Sequence, residues 1–518
     1  MSDAPKSTAP VQAPRVRWWP VPLILGAAAL ALGWVWTFHG PSRQDRYIAT
    51  LEVLFGLLVA LLVWLVFASR LPRRLGLGVT GSVIGLIAAA AALLEIRGVN
   101  GDLVPILAWR WSSRALVPPS DAIPAPTAAS HSRGDFPQFL GPHRNGTVEG
   151  PRLARDWQAQ PPVELWRHPV GPAWSGFAVA GPFAITQEQR GEKECVVCYD
   201  VLSGRTLWVH EDTARYATTI AGEGPRATPT IAGRRVLTQG ATGLLNCLDL
   251  ATGARLWWKD IVAESGREMP TWGVAGSPLV VSNRVFVHAG GTNERSRVVL
   301  DLDTGRFIWG AGSGGMDYSS PVLARLAGRE QVLIFAASGV AAHALEDGRI
   351  LWRHPWRGGH PHVTVPLVLP GDRVAISSGY GTGCEVIEIA VEKNAWTVRP
   401  VWKSIRLKSK FANLIYHGGY LYGLDDGILV CLDAANGTLK WKEGRYGHGQ
   451  LILTGNLLLV MAEAGEVVLI EPTPEGLREL SRLPVFRAKT WNPPALAGDL
   501  LLVRNDREAA CFRLPVEK

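Results

Sequence analysis

The sequence predicts an all-β, eight-bladed propeller of four-stranded antiparallel blades, preceded by three transmembrane α-helices. Three observations predict it. A unit ending in Trp recurs with a mean spacing of about 45 residues, eight apolar stretches open such units, and three apolar runs fill much of the first hundred residues. About 45 residues is the length of one four-stranded propeller blade.

The apolar runs come first in the chain. Residues 21–38 and 75–94 carry no charge, and 48–68 carries only Glu52. Each is long enough to cross ~30 Å of hydrocarbon at ~1.5 Å per residue. They lie close together, separated by short Arg-bearing turns, which argues against one cleaved signal peptide followed by core helices. Three spans put the two chain ends on opposite sides. The N-tail (Lys6, Arg15, Arg17) and the second loop (Arg70, Arg73, Arg74) set six positive charges against five from Arg43, Arg46, Arg97, Arg110 and Arg114. That count favours the N-terminus inside and the C-terminal part outside. Trp18, Trp19, Trp109 and Trp111 fit interfacial belts, and Glu52 and Glu95 lie where a carboxylate can snorkel. The expected organisation is a cytoplasmic tail over 1–20, the helices over 21–96, a juxtamembrane segment and Pro/Ala/Ser tether over 97–134, and the propeller over 135–518. The partner expected of the N-terminal part is the bilayer.

Composition narrows the functions. The net charge is +8, and residues 1–115 alone hold +6 of it. The basicity therefore belongs to membrane flanks, and no nucleic-acid partner is expected. Six cysteines in 518 residues exclude a disulfide-stapled scaffold.

The repeat is clearest in Cys198-Tyr-Asp200-Val-Leu-Ser-Gly204-Arg-Thr-Leu-Trp208, in Cys247-Leu-Asp249-Leu-Ala-Thr-Gly253-Ala-Arg-Leu-Trp257, in Leu300-Asp301-Leu-Asp-Thr-Gly305-Arg-Phe-Ile-Trp309 and in Cys431-Leu-Asp433-Ala-Ala-Asn-Gly437-Thr-Leu-Lys-Trp441. A shorter copy ends at Trp352, degenerate copies end at Trp402 and near Leu480, and an isolated closing strand ends at Trp166. A strand runs into Asp, whose carboxylate can bond the turn backbone. Gly supplies φ > 0 in a short hairpin loop, and the returning strand ends in a large flat side chain that can dock between sheets. The opening stretches are 175–181, 227–233, 276–281, 319–323, 363–368, 412–419, 449–455 and 493–498. The first closing strand precedes the first opening strand, and the last opening strand has no closing strand after it. The segment near Trp166 is therefore expected to complete the last sheet and close the ring. Seven blades remain the alternative if the unit around Trp402 is miscounted.

Residues just before the opening strands converge on one mouth of such a ring. They are Trp174, Ser175, Arg226, Trp272, Asp317, Tyr318, His360, His362, Lys408, Lys410, Asn413, His448 and Trp491. Cations and aromatic rings on converging loops suit an anionic planar ligand. Asp317 is the one obvious carboxylate among them and the general-base candidate; the bland alternative is that these residues only shape the loops. Cys198, Cys247, Cys431 and Cys511 read as small buried strand residues. Cys195 and Cys198 lie three apart on a strand and so face opposite ways, which does not suit a redox pair. No metal-ligand pattern appears, the nearest being His360-Pro-His362.

The unit (small residue)-x-Asp-x-x-(Thr/Ser/Asn)-Gly-x-x-x-Trp resembles the tryptophan-docking repeat of pyrroloquinoline-quinone (PQQ)-like propellers, a superfamily that includes quinoprotein alcohol dehydrogenases and the BamB-like assembly factors. The strings Asp135-Phe-Pro-Gln-Phe-Leu-Gly-Pro-His-Arg-Asn-Gly146, Gly224-Pro-Arg-Ala-Thr-Pro229, Trp272-Gly273 with Ser277-Pro278, and Ser377-Ser-Gly-Tyr-Gly-Thr-Gly-Cys384 look like the PQQ-like propeller proteins common in planctomycetes and acidobacteria. The resemblance covers 135–518 almost continuously. It implies one of two functions. The first is a membrane-anchored, extracytoplasmic (periplasmic) binding or assembly module, with protein partners at the mouth or the blade edges and no cofactor. The second is a PQQ-dependent alcohol or sugar dehydrogenase passing electrons to membrane quinone, with PQQ and Ca²⁺ in the funnel. The absence of adjacent cysteines and the near-minimal blade length depart from the dehydrogenase pattern, so the binding module is preferred.

Overall fold

The computed structural model of the 518-residue chain describes residues 16–38, 43–112, 134–291, 294–313, 315, 317–356 and 361–517. The basic N-tail up to Arg15, most of the Pro/Ala/Ser tether, Arg114 and the candidate His360 lie outside the described residues. The chain divides into two compact units, Met1–Arg114 and Ala115–Lys518.

Each repeat of the second unit folds as the Asp-to-Trp pattern requires. Seven contiguous blades span 178–212, 230–260, 279–311, 322–355, 367–404, 415–445 and 450–484, and each has four antiparallel strands in sequence order. The eighth takes three strands from 495–513 and its fourth, Val163–Pro169, from the start of the domain. Cys511 faces Trp166 across that junction. The ring therefore closes as the strand count requires, and 367–404 is a complete blade, which rules out seven.

The reason for the repeat lies between blades. The Trp of one blade rests on the turn glycine of the next: Trp166 on Gly204, Trp208 on Gly253, Trp257 on Gly305, Trp309 on Gly348 and Trp402 on Gly437. Each of these glycines has φ between 67° and 74°, and a Cβ at any of them would collide with the indole. The indole N–H is satisfied by the same turn. Trp166 donates to Val201 O (2.9 Å), Trp208 to Leu250 O (3.0 Å), Trp257 to Leu302 O (2.8 Å) and Trp402 to Ala434 O (2.9 Å). Gly is thus required twice, for its positive φ and for the ring that covers it. The Asp holds the turn: Asp200 Oδ1 accepts from Ser203 N at 2.8 Å and Asp301 Oδ1 from Thr304 N at 2.9 Å. In all eight blades the ladder between third and fourth strands slips at the Trp position, after Cys198, Cys247, Val299, Ala342, Val386, Cys431, Leu469 and Cys511. A bulge at one fixed place turns the Trp toward its neighbour.

Three copies depart from this scheme. Trp441 of the sixth blade bonds the next turn, Nε1 to Thr473 O at 2.7 Å, but Gly476 there has nothing within 4 Å and carries no ring. The fifth blade has a long regular hairpin that turns on Lys393 (φ 48°) and Asn394 (φ 64°), so it presents no turn glycine. Trp352 of the fourth blade accordingly donates to Gln331 Oε1 of its own blade at 2.6 Å. In the seventh blade Ser481, not Leu480, stands opposite Leu469 where a Trp would sit. The eighth blade is the seam and has no hairpin turn there on which a Trp could dock. Residues 152–157 run beside the C-terminal strand instead, with Ala154 N bonded to Pro515 O and Glu517 N to Arg152 O. Trp157 fills the same core as Leu480, Phe486 and Phe512.

The string Asp135–Gly146 closes one mouth of the ring. Opening strands run away from the candidate loops, and this string bonds to their far ends: Phe136 pairs with Val179, Ile231 N donates to Pro137 O, and Leu453 N to Gly146 O. Thr147–Val148 then adds a parallel fifth strand to the seventh blade. From this plug Arg144, 1% exposed, reaches into the axis. It donates to the carbonyls of Ser277 and Pro321 (both 3.0 Å) and Pro278, and to Thr230 Oγ1 (3.1 Å). Arg504 does the same at the seam, joining the eighth blade to Thr186 Oγ1, Gln187 O and Gly171 O of the first at 2.7–2.9 Å.

All six cysteines are buried and unpaired with one another. Cys195 and Cys198 point into different cores, one with Trp166 and the other with Trp208.

In the first unit, α1 (Pro20–Phe38), α2 (Arg43–Val63, continued by a π-turn over Trp64–Ala68) and α3 (Arg73–Leu93) are long and apolar enough to cross a membrane. Beyond α3 the sequence reading expected only a juxtamembrane segment. A hairpin forms there instead, from Leu94–Val99 and Pro105–Trp109, turning on Asn100, whose Oδ1 accepts from Asp102 N and Val104 N. Glu95 therefore sits in a strand, bonded to Arg97 at 2.6 Å. Arg110 donates to the carbonyls of Ala91 and Leu94 at the end of α3.

Candidate functional site

The mouth opposite the plug is built by the loops that precede the eight opening strands, and successive loops touch around most of the ring. Trp174 Nε1 donates to Ala221 O (2.7 Å), and Arg226 reaches the same carbonyl at 3.0 Å. Arg226 Nε donates to Trp272 O at 2.9 Å. The Trp272 ring lies 5.5 Å from Tyr318, and Tyr318 N donates to His362 O. Val365 N donates to Asn413 Oδ1 at 2.8 Å. Phe411 lies 5.6 Å from His448 and 4.8 Å from Trp491, and Trp491 lies 4.9 Å from Trp174. The described candidates thus form one belt, but at different depths. Trp174, Arg226, Trp272, Tyr318 and Trp491 are half-buried, whereas Ser175, Asp317, His362, Lys410, Asn413 and His448 lie beneath the surface.

The ionisable groups of the belt are engaged by the protein itself. Asp317, 3% exposed, lies 2.6 Å from His362 Nδ1 and also accepts from His362 N at 2.8 Å. His362 in turn stacks on Phe335 at 4.5 Å. Arg226 covers the Tyr216 ring at 4.3 Å and donates to the carbonyls of Ala221, Gly222, Gly224 and Trp272. Burial pushes its guanidinium down to about 10. Lys408 is held by Asp425 (2.7 Å) and Asp426 (3.2 Å). Lys410 lies 5.0 Å from the Tyr380 ring. Asn413 Nδ2, by contrast, is buried without a hydrogen-bond partner among the described residues.

Several mouth residues lie outside the loops before the opening strands and carry no signal in the repeat. The turns between second and third strands return to the same mouth. One brings Glu463, whose carboxylate accepts from Trp491 Nε1 (2.8 Å) and His448 N (3.0 Å). Another brings Tyr380. Lys489, two residues before Trp491, lies 3.9 Å from the Trp491 ring and 4.7 Å from the Trp174 ring. Burial pushes its ammonium down to about 8. Phe411 and Tyr216 complete the aromatic lining. Pairing of neighbouring loops, not spacing in the chain, is the signal that finds these residues.

A quinone tricarboxylate with Ca²⁺ fits this set poorly. Of the mouth cations its acid groups would need, Arg226 and Lys408 are taken up by carbonyls and aspartates, and Lys410 and Lys489 lie over aromatic rings. The Asp317 carboxylate that would serve as base is closed into its pair with His362. Among the described residues no group of three or more His, Cys, Asp or Glu side chains is placed to hold a metal.

A family profile described as outer membrane protein assembly factor BamB matches residues 192–443, from the third strand of the first blade to the last strand of the sixth. The outer membrane protein assembly factor BamB of Moranella endobia (strain PCIT) is 22% identical over 259 residues, covering 47% of this chain and 63% of that protein. The match therefore spans less than two thirds of the relative. Among solved structures, a quinohemoprotein alcohol dehydrogenase from Pseudomonas putida HK5 superposes with a TM-score of 0.50 at 11% identity, over 74% of this chain and 81% of that one. BamB from Moraxella catarrhalis gives 0.49 at 18% identity, over 69% and 99%. The profile match, together with eight blades of which seven carry the Trp, supports a PQQ-like β-propeller for the second unit, similar in its repeats to BamB.

Proposed function

We propose that this chain is a membrane-anchored binding or assembly module, with its three helices in the inner (cytoplasmic) membrane, its N-terminus inside and its propeller on the periplasmic side. The observation that carries the reading is the chemistry of the open mouth. It offers aromatic faces, of which Trp174, Trp491 and Tyr216 are fixed by hydrogen bonds at their polar edges, while Arg226, Asp317 and Lys408 are engaged internally. A rigid aromatic surface with few adjustable torsions is suited to binding a protein partner. The plug at the other mouth leaves one face of the channel for that role. The charge asymmetry around the helices supports the orientation, and the likeness to BamB supports an assembly role.

The test is affinity capture from native membranes, comparing the wild-type chain with a Trp174→Ala, Trp272→Ala double variant that retains its circular dichroism. A discrete protein recovered with the wild type and lost with the variant is the expected result. Equal recovery with both would move the binding surface away from the mouth. Reduction of a dye by alcohols or sugars, dependent on added PQQ and Ca²⁺, would overturn the reading altogether.

A further inference from the structure

Trp174 and Trp491 meet at the seam between the eighth and first blades, with ring planes inclined at 44°. They form two walls of an open corner, and Phe411 adds a third ring beside Trp491. The walls stand without help from any occupant. Trp174 is tied by its N–H to Ala221 O, and Trp491 by its N–H to Glu463 Oε1. Gly222 leaves the Trp174 ring its space, since a Cβ there would approach the indole to 2.9 Å. What lies in the corner is an ammonium, that of Lys489, close to the centre of both rings.

We propose that this corner is a receptor for a cationic side chain, lysine or arginine, of a protein partner, and that Lys489 is its built-in occupant. The identity of the ligand as a protein group rests on the binding-module reading; the cation site itself does not. Three features favour a cation. Indole faces are negative at their centres and attract cations within about 6 Å. The Glu463 carboxylate, by accepting the Trp491 N–H, adds negative charge beside the wall. Asp506 also attracts a cation in the corner, against burial and the weaker opposition of Arg507. An anion would meet both ring faces and Glu463 and be repelled. Burial weakens the hold of Lys489 on its proton, and an incoming cation bears the same desolvation, so the ring faces and Glu463 must outweigh it. Both tryptophans and the lysine are half-exposed, so the corner is open to such exchange.

The probe is tetramethylammonium chloride, titrated calorimetrically into the full chain in a non-ionic maltoside. Lys489→Ala and Lys489→Met are each expected to bind it at least tenfold more tightly than the wild type. Adding Trp174→Ala or Trp491→Ala to either should abolish the gain, with thermal unfolding confirming that each variant is folded. Absence of any gain in both lysine variants, or a gain that survives loss of the tryptophans, would overturn the proposal. So would the opposite preference, in which the wild type binds naphthalene disulfonate and Lys489→Ala loses it, since that would make Lys489 an anchor for anions. A chain that captures a partner but fails the tetramethylammonium test loses only this inference. A chain that passes it but captures nothing loses only the binding-module reading.

Discussion

Gly305 shows how a single residue carries the fold. It has φ 67°, and a Cβ would come within 2.7 Å of the Trp257 ring. Gly233 has a similar φ of 56° with nothing within 4 Å. Gly305→Ala is therefore expected to cost roughly 3 kcal/mol, combining left-handed strain with overpacking against the indole. Gly233→Ala should cost roughly 1 kcal/mol from strain alone. Thermal or urea unfolding of the two variants measures the difference, which is the contribution of the docked ring. Another buried residue links stability to pH. Glu194, 5% exposed, accepts from Ala241 N at 2.9 Å, and burial pushes its carboxyl up to about 7. Because its folded value exceeds its ordinary one of 4.5, the native state holds the extra proton, and its stability falls as pH rises from about 4.5 to 7. Glu194→Gln should leave stability at pH 4.5 nearly unchanged and raise it at pH 8, by on the order of 1–3 kcal/mol. Melting curves at both pH values check the sign. The Asp, Gly and Trp of each unit were legible in sequence because turn chemistry is local. That each Gly answers to the Trp of the preceding blade was not, because the two lie 35 to 48 positions apart and meet only across an interface.

At the scale of elements, the seam explains where the pattern failed. The degenerate seventh copy was placed near Leu480, but the bulge makes Ser481 the equivalent of Trp. The residue type gave no marker, since there is no hairpin turn in the eighth blade for a Trp to cover. The closing strand was legible from strand counting alone. The plug was not: Asp135–Gly146 read as a family string, with no periodicity to reveal that it crosses a channel. Its anchor is Arg144, whose removal leaves buried carbonyls without donors. Arg144→Leu is expected to lower stability by about 3 kcal/mol. A surface change such as Arg234→Leu, at a side chain 83% exposed, should stay within about 0.5 kcal/mol. Urea unfolding of the two variants compares them directly. If Arg144→Leu behaved like the surface change, the plug would not be part of the folded core.

For the whole molecule, the sequence placed one ring of candidate residues at one mouth, and the loops before the opening strands do lie there. It did not foresee how deep each would sit. Asp317 looked available because a lone carboxylate in a loop usually faces water; its partner His362 lies 45 residues away, on the next blade's loop. Glu463 and Lys489 went unnoticed for the same reason. On the proposed function, this aromatic mouth, and not the plugged one, is where the chain meets its partner. Photo-crosslinking in native membranes tests it most directly. A benzophenone amino acid is placed at Thr271 or Arg487 on the open mouth, or at Arg234 beside the plug, all exposed positions. A discrete protein adduct is expected from Thr271 or Arg487 and none from Arg234. An adduct from Arg234 alone, or none from any of the three, would contradict it.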